Sequence, residues 1–401
     1  MIHPDIARML VESRRDERLA AARERARSRE CAPSGNERGV FGRGGMRAIR
    51  RVLSMWPATW SRGTSAVDGA RPQVHGMNTQ RPADPIATML TVCEETHSRA
   101  GLPCSDSAGG PVAVLGLGAM GSRIAARLHC GGYETLVWNR DADAASHLVL
   151  MGATAACSPA EAVAHADTVI VTVSDPCALV SVTEGPYGIA AGTRPGTQII
   201  VMSTVGPAAV AQLVRAVPED AEILDAPFLG SLAEAEQGRL QFFVSGTDIA
   251  ALRADPLLRA LGTPLYLGHL GLGSAAKLVA NYALLGALGV LGEAVALADR
   301  LDVPREKTFD ILAVTPLAAQ AERRRTVLES GQFPPRFRLA LARKDTDLML
   351  AAIGSPGDEL LPLLHSVRSW LLKAESEGRG DEDYTAMLAT IVSSRGVRLA
   401  D

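Results

Sequence analysis

An α/β fold is what the sequence predicts: an N-terminal doubly wound domain over residues 111–273, an all-α domain over residues 274–401, and a mostly disordered, Arg-rich leader over residues 1–110. Three observations point there. The strand-like run at residues 112–115 ends in a glycine-rich turn and opens straight into an amphipathic segment, residues 122–130. Further apolar runs follow with helical patterns between them, as a parallel sheet covered on both faces requires. Strand signals then stop after residue 273, and the remainder reads as helix.

In order, the expected strands are residues 112–115, 134–138, 167–173, 198–203, 222–226 and 240–245. Residues 158–166 and 207–217 are helical by pattern, and a long helix is expected over residues 274–301. The leader is different in kind. Residues 6–30 are rich in Ala and Arg and suit an exposed helix; after them Gly, Pro, Ser and Arg follow no period, which argues for disorder. Residues 46–64 hold several Arg and no acid, like an organelle transit peptide, but their internal position and the acids before them weigh against that reading. A tail for nucleic acid or an anionic surface is a further minor reading, and Met77 and Met89 are alternative starts.

With 401 residues, 47% hydrophobic, the chain is long enough for two cored domains. Its net charge of −3 suggests no nucleic-acid partner overall, although residues 1–80 carry +7 and the rest −10. Six cysteines form no CxxC pair and have no His cluster beside them, which argues against a metal site or a disulfide framework and for a reducing cytoplasm. No uninterrupted apolar run reaches the roughly 18–20 residues of a membrane span; the nearest, residues 278–297, is broken by Asn281 and Glu293. Only four lysines occur, Lys277, Lys307, Lys344 and Lys373, against 37 Arg. A lysine kept in such a chain suits a task that Arg cannot do, such as releasing a proton.

The turn Gly116-Leu117-Gly118-Ala119-Met120-Gly121 has the form GxGxxG between strand and helix. Gly116 permits the tight bend, Gly118 lets a pyrophosphate approach the backbone, and Gly121 lets helix and strand pack closely, while the helix N-terminus attracts phosphate. This is a Rossmann-type dinucleotide site. NAD sites usually end the next strand with a carboxylate, which would repel a 2′-phosphate. Here that strand ends in Asn139-Arg140, and a planar guanidinium pairs with such a phosphate, so NADP (NADPH) is favoured and NAD remains possible.

Four more stretches complete a pattern: residues 201–207 (VMSTVGP), 225–231 (DAPFLGS), 271–281 (GLGSAAKLVAN) and 337–345 (FRLALARKD). With the glycine turn, their order and spacing resemble the β-hydroxyacid dehydrogenase family, which includes 3-hydroxyisobutyrate dehydrogenases and glyoxylate/succinic semialdehyde reductases. The resemblance covers residues 111–395. It implies that Lys277 is the catalytic acid/base, with Asn281 one helical turn on. It further implies that Ser203 binds the substrate carboxylate and Thr204 lies near the nicotinamide, unless both merely cap the next helix. Val173, Ser174 and Lys344 would touch the cofactor, and Gly230 and Ser231 the substrate. A surface ion pair with Asp345 or Asp347 is the plainer reading of Lys344.

One departure matters. Many relatives read Asp-Ala-Pro-Val-Ser-Gly-Gly, whereas this chain has Phe228, Leu229, Gly230 and Ser231, losing a small polar group and gaining bulk. The expected activity is hydride transfer between the nicotinamide and a small carboxylate-bearing aldehyde or β-hydroxyacid, by a cytoplasmic homodimer. The alternatives are an imine reductase-like enzyme, whose relatives usually place Asp or Tyr at the Lys277 position, and a non-catalytic nucleotide-binding scaffold.

Overall fold

The computed structural model describes residues 110–354 and 360–394; the expected leader, apart from Gly110, lies outside the described residues. Strands β1 (Val112–Leu115), β2 (Thr135–Trp138), β3 (Thr154–Ala155), β4 (Thr168–Val171), β5 (Gln198–Val201) and β6 (Glu222–Asp225) form one sheet in the order 3-2-1-4-5-6. Every pairing in it is parallel. Strand order reverses between β1 and β4, and such reversals open a ligand crevice beyond the carboxyl ends of the strands.

The helices of this part are α1 (Gly121–Cys130), α2 (Ser146–Met151), α3 (Pro159–Ala164), α4 (Pro176–Thr183), α5 (Ile189–Gly192), α6 (Pro207–Ala216), α7 (Leu232–Gln237) and α8 (Asp248–Leu261). Successive strand residues face opposite sides. Val112, Val114, Ile170 and Ile200 therefore pack with α1, α2, α7 and α8, while Ala113, Leu115, Val169, Val171 and Ile199 pack with α3 to α6. Burial on both faces is why these strands read as continuous apolar runs rather than alternating ones.

Residues 240–245, read in series with the other strands, instead form the centre of a second sheet. β8 (Leu240–Val244) lies between β7 (Phe228–Leu229), antiparallel to it, and β9 (Gly262–Tyr266), parallel to it. Neither flanking strand was legible: β7 has two residues, and β9 opens on Gly262 and contains Pro264, which confines it to an edge. β3, two exposed residues, escaped notice for the same lack of an apolar run.

The helical part comprises α9 (Leu272–Arg300), α10 (Arg305–Leu312), α11 (Ala318–Ser330), α12 (Leu339–Ile353), α13 (Pro362–Ala374) and α14 (Met387–Ser393). Leu285, Leu288, Leu291 and Val295 of α9 share a core with Phe309, Leu339, Leu371 and Leu388. By length and composition α9 could cross a membrane, unlike the expectation drawn from uninterrupted runs, yet half of its apolar window is buried inside the protein. Its small residues explain that packing: a Cβ at Gly292 would stand 2.7 Å from Cδ1 of Ile391, and one at Gly289 3.0 Å from Cγ2 of Val367. Cys157 and Cys177 are free and exposed.

The tightest approach in the sheet part is at Gly121, where a Cβ would lie 2.0 Å from the Gly116 carbonyl oxygen and 2.4 Å from Oγ1 of Thr172. Backbone cannot yield as a flexible side chain does. Gly121→Ala is expected to lower the unfolding free energy by about 1–3 kcal/mol, the usual cost of overpacking, as read from urea titration; an unchanged midpoint would show that the turn adjusts freely.

Candidate functional site

Gly116 sits at φ 95°, and its amide donates to the Trp138 carbonyl at 2.9 Å, tying the end of β1 to the end of β2. Thr172 Oγ1 donates to the Gly116 carbonyl at 2.6 Å. Asn139 is fully engaged in shaping this turn: its Oδ1 accepts the Leu117 amide at 2.9 Å and its Nδ2 donates to the Asp141 carbonyl at 2.9 Å. Leu117 is buried, Met120 half-buried, and Gly118 and Ala119 are exposed. Nothing lies within 4 Å of where a Gly118 Cβ would stand. Among the described residues the amides of Gly118, Ala119 and Met120 meet no acceptor. Open space over three unpaired amides at the start of α1 fits a pyrophosphate. Arg140 is exposed and has no hydrogen-bond or ion-pair partner among the described residues. Asp141 turns away, its carboxylate accepting the Asp143 amide.

The loops after β4 and β5 border the same crevice. Ser203 is buried; its Oγ accepts the Val173 amide at 2.7 Å and donates to the Val171 carbonyl at 3.2 Å. That hydroxyl is spent on joining the two loops rather than offered to a carboxylate. Neither it nor Thr204 caps α6, whose cap position belongs to Gly206. Ser174, exposed, donates to Asp175, which in turn accepts the Ala178 amide at the start of α4. Gly230 has φ 141°, and both the amide and the hydroxyl of Ser231 donate to Glu234 Oε2 at the start of α7. Among the described residues no hydrogen bond joins Gly230 or Ser231 to Lys277, Asn281 or Lys344.

Lys277 and Asn281 share one face of α9. The Lys277 amine has no hydrogen bond or ion pair among the described residues, and burial brings its pKa down from 10.5 to about 8; Asp345 opposes that fall and Lys344 adds to it. Asn281 is buried and donates through Nδ2 to Asp345 Oδ2 at 2.6 Å. Asp345 is 1% exposed. Its Oδ1 lies 2.9 Å from the Lys344 amine, close enough for an ion pair but not aligned as a hydrogen bond. Lys344 donates instead to the Thr204 carbonyl at 2.6 Å. Four expected site residues, Lys277, Asn281, Lys344 and Thr204, therefore meet around a carboxylate that sequence reading treated only as a surface partner. No local signal marked it, because Asp345 stands in sequence beside the charged Arg343, Lys344 and Asp347.

Residues 111–271 match the family model described as the NAD binding domain of 6-phosphogluconate dehydrogenase, and residues 271–391 the one described as NAD-binding of NADP-dependent 3-hydroxyisobutyrate dehydrogenase. The chain belongs to the β-hydroxyacid dehydrogenase family. It is accordingly an NAD(P)-dependent dehydrogenase or reductase of the 3-hydroxyacid type. Among its relatives, glyoxylate/succinic semialdehyde reductase 1 of Arabidopsis thaliana is 29% identical over 287 residues, covering 71% of this chain and 99% of that protein. The 3-sulfolactaldehyde reductase of Escherichia coli is 30% identical over 292 residues, covering 71% and 97%. A structure of Mycobacterium tuberculosis 3-hydroxyisobutyrate dehydrogenase with L-serine superposes with TM-score 0.63 at 26% identity, covering 71% and 99%.

For this dehydrogenase the Asp345 carboxylate holds the Lys277 proton on. Asp345→Asn is expected to move the Lys277 titration below about 8. With four lysines in the chain, NMR titration of lysine ε-carbons checks this directly; an unchanged or raised midpoint would contradict the arrangement.

Proposed function

We propose that this β-hydroxyacid dehydrogenase is an NADP(H)-dependent reductase of small carboxylate-bearing aldehydes, with Lys277 as general acid. The observation that supports it most is the buried, unpartnered Lys277 amine, which desolvation brings down to a pKa of about 8 beside the Asn281–Asp345–Lys344 array. When bound, the reduced nicotinamide supplies the hydride for carbonyl reduction. Lys277 gives its proton to the carbonyl oxygen as negative charge develops there, and takes one back in the oxidative direction. A pKa near the working pH suits both roles. Asn281 has one amide N–H committed to Asp345, which leaves the other for the reacting oxygen. Lys344, ion-paired to Asp345 and bonded to the Thr204 carbonyl, keeps the loop after β5 against α12.

Gly118, Ala119 and Met120 would hold the pyrophosphate by their amides, and the unpaired Arg140 guanidinium supports NADP over NAD by offering a fork to the 2′-phosphate. Since the Ser203 and Ser231 hydroxyls are engaged inside the protein, a substrate carboxylate falls to backbone amides around Gly230. The exposed apolar side chains of α9, Val279, Val290 and Leu297, support a homodimer built on that helix.

Steady-state oxidation of NADPH and NADH with glyoxylate, succinic semialdehyde and 3-sulfolactaldehyde tests the reading. Lys277→Ala is expected to lower kcat by about 10²–10⁴-fold, the range of a lost general acid; retained turnover would refute it. Arg140→Ala is expected to raise KM for NADPH by about tenfold or more and leave NADH nearly unaffected, in keeping with loss of a charged hydrogen bond. Equal effects on both nucleotides would argue against a 2′-phosphate contact.

A further inference from the structure

Against Ser274, one turn before Lys277, stands a buried carboxylate that the proposed chemistry does not use. Asp225 closes β6 and is fully buried. Its Oδ2 accepts the Ser274 amide at 2.6 Å, and its Oδ1 accepts the Ser274 hydroxyl at 2.8 Å. Its backbone exchanges two hydrogen bonds with Ser245, just beyond β8, at 2.9 and 2.8 Å. The Ser245 hydroxyl in turn accepts the Gly273 amide at 2.8 Å. The first amides of a helix have no carbonyl partner of their own, and here two of them, Gly273 and Ser274, are met by the seam between the two sheets. The approach is close: a Cβ at Gly273 would stand 2.5 Å from the carbonyl oxygens of Asp225 and Phe243.

We propose that Asp225 is a positioning residue for the reaction: through Ser274 it clamps the first turn of α9 and thereby holds the Lys277 amine at its depth beside Asp345. Ser274 and Lys277 are three residues apart and neighbours on the helix surface, so a rotation or withdrawal at Ser274 is passed to Lys277. The inference rests on the reading of Lys277 as the acid.

A mere helix cap would not need this residue. Ser, Thr or Asn caps a helix without burying a charge. Here burial pushes the Asp225 carboxyl up to about 6, with only the Ser274 and Ser245 hydrogen bonds opposing it and no charged side chain contributing. Because the folded value exceeds the unfolded one, the ionised carboxylate weakens the fold. That cost is absent well below pH 4 and is fully felt once pH has risen past about 6. A neutral amide at position 225 is therefore expected to leave the chain folded, and what it gives up is the charge that draws in the Ser274 amide and the second acceptor, so that the Ser274 hydroxyl must turn and accept instead.

The test uses the full chain with ¹³C-labelled lysine, in wild type, Asp225→Asn, Ser274→Ala and the double variant. The Lys277 signal is assigned by its loss in Lys277→Arg. Both single variants are expected to move the Lys277 midpoint upward from about 8 toward the ordinary 10.5 as the amine leaves its buried seat. They are also expected to lower kcat by about tenfold or more, since small misplacements of a reacting group are costly, with KM for the aldehyde changing far less. The double variant should lose no more than the worse single one, because the two residues form one contact. An unmoved Lys277 midpoint in folded Asp225→Asn and Ser274→Ala would overturn the proposal, as would losses that multiply in the double variant. Should Lys277→Ala keep its turnover, the acid assignment fails, while the titration shift still decides whether the clamp exists.

Discussion

Asp345 is the constraint around which the site is arranged. A carboxylate with 1% exposure loses its hydration, a cost of several kcal/mol per buried ion unless charge and hydrogen bonds replace the water. Here an amide from α9 and an ammonium from its own helix do so, at 2.6 and 2.9 Å. Hydrogen bonds to charged groups contribute about 1.5–3 kcal/mol each, so α9 and α12 cannot slide past each other without exposing a penalty of that order. The Lys277 amine inherits its electrostatics from the same carboxylate and from the neighbouring cation, while low solvent access sets the overall direction. Removing Asp345 would therefore disturb fold and proton affinity together.

Both helices that meet there are secured at their beginnings by other buried acids. Asp225 takes the first turn of α9. Asp383 does the equivalent before α12: its Oδ2 accepts the amides of Arg336 and Phe337 at 3.2 and 3.0 Å, and its Oδ1 accepts the amide and hydroxyl of Thr385. The Leu339 amide, opening α12, donates to the Glu382 carbonyl at 2.9 Å. Each of the two helices is thus located by a carboxylate outside it, and the Asp345 carboxylate of α12 cross-links the pair.

Much of this was legible before any coordinates. The parallel sheet announced itself because strands buried on both faces must be apolar throughout, and the GxGxxG turn because only glycine tolerates the Gly116 conformation and the approach at Gly121. Lys277 and Asn281 stood out through the resemblance of residues 271–281 to the family's motif, with the rarity of lysine in support. What escaped was whatever depends on tertiary partners. β7 and β9 exist only because β8 lies between them. The engagement of Ser203 is set by Val171 and Val173, thirty or more residues away in sequence. Asp345 carries no pattern of its own that separates it from an exposed acid; its burial is decided by α9, more than sixty residues earlier.

The bond from Lys344 to the Thr204 carbonyl has a consequence for sequence variation. The acceptor is main chain, so it is present whatever side chain occupies position 204. A wall of the crevice can thereby change its shape and polarity through mutation while the link between the helical part and the sheet loop is retained. Position 204 is a place where selectivity for the reacting molecule could drift over generations without loosening the machinery, a freedom denied to Asn281 and Asp345, whose side chains are themselves the fastening.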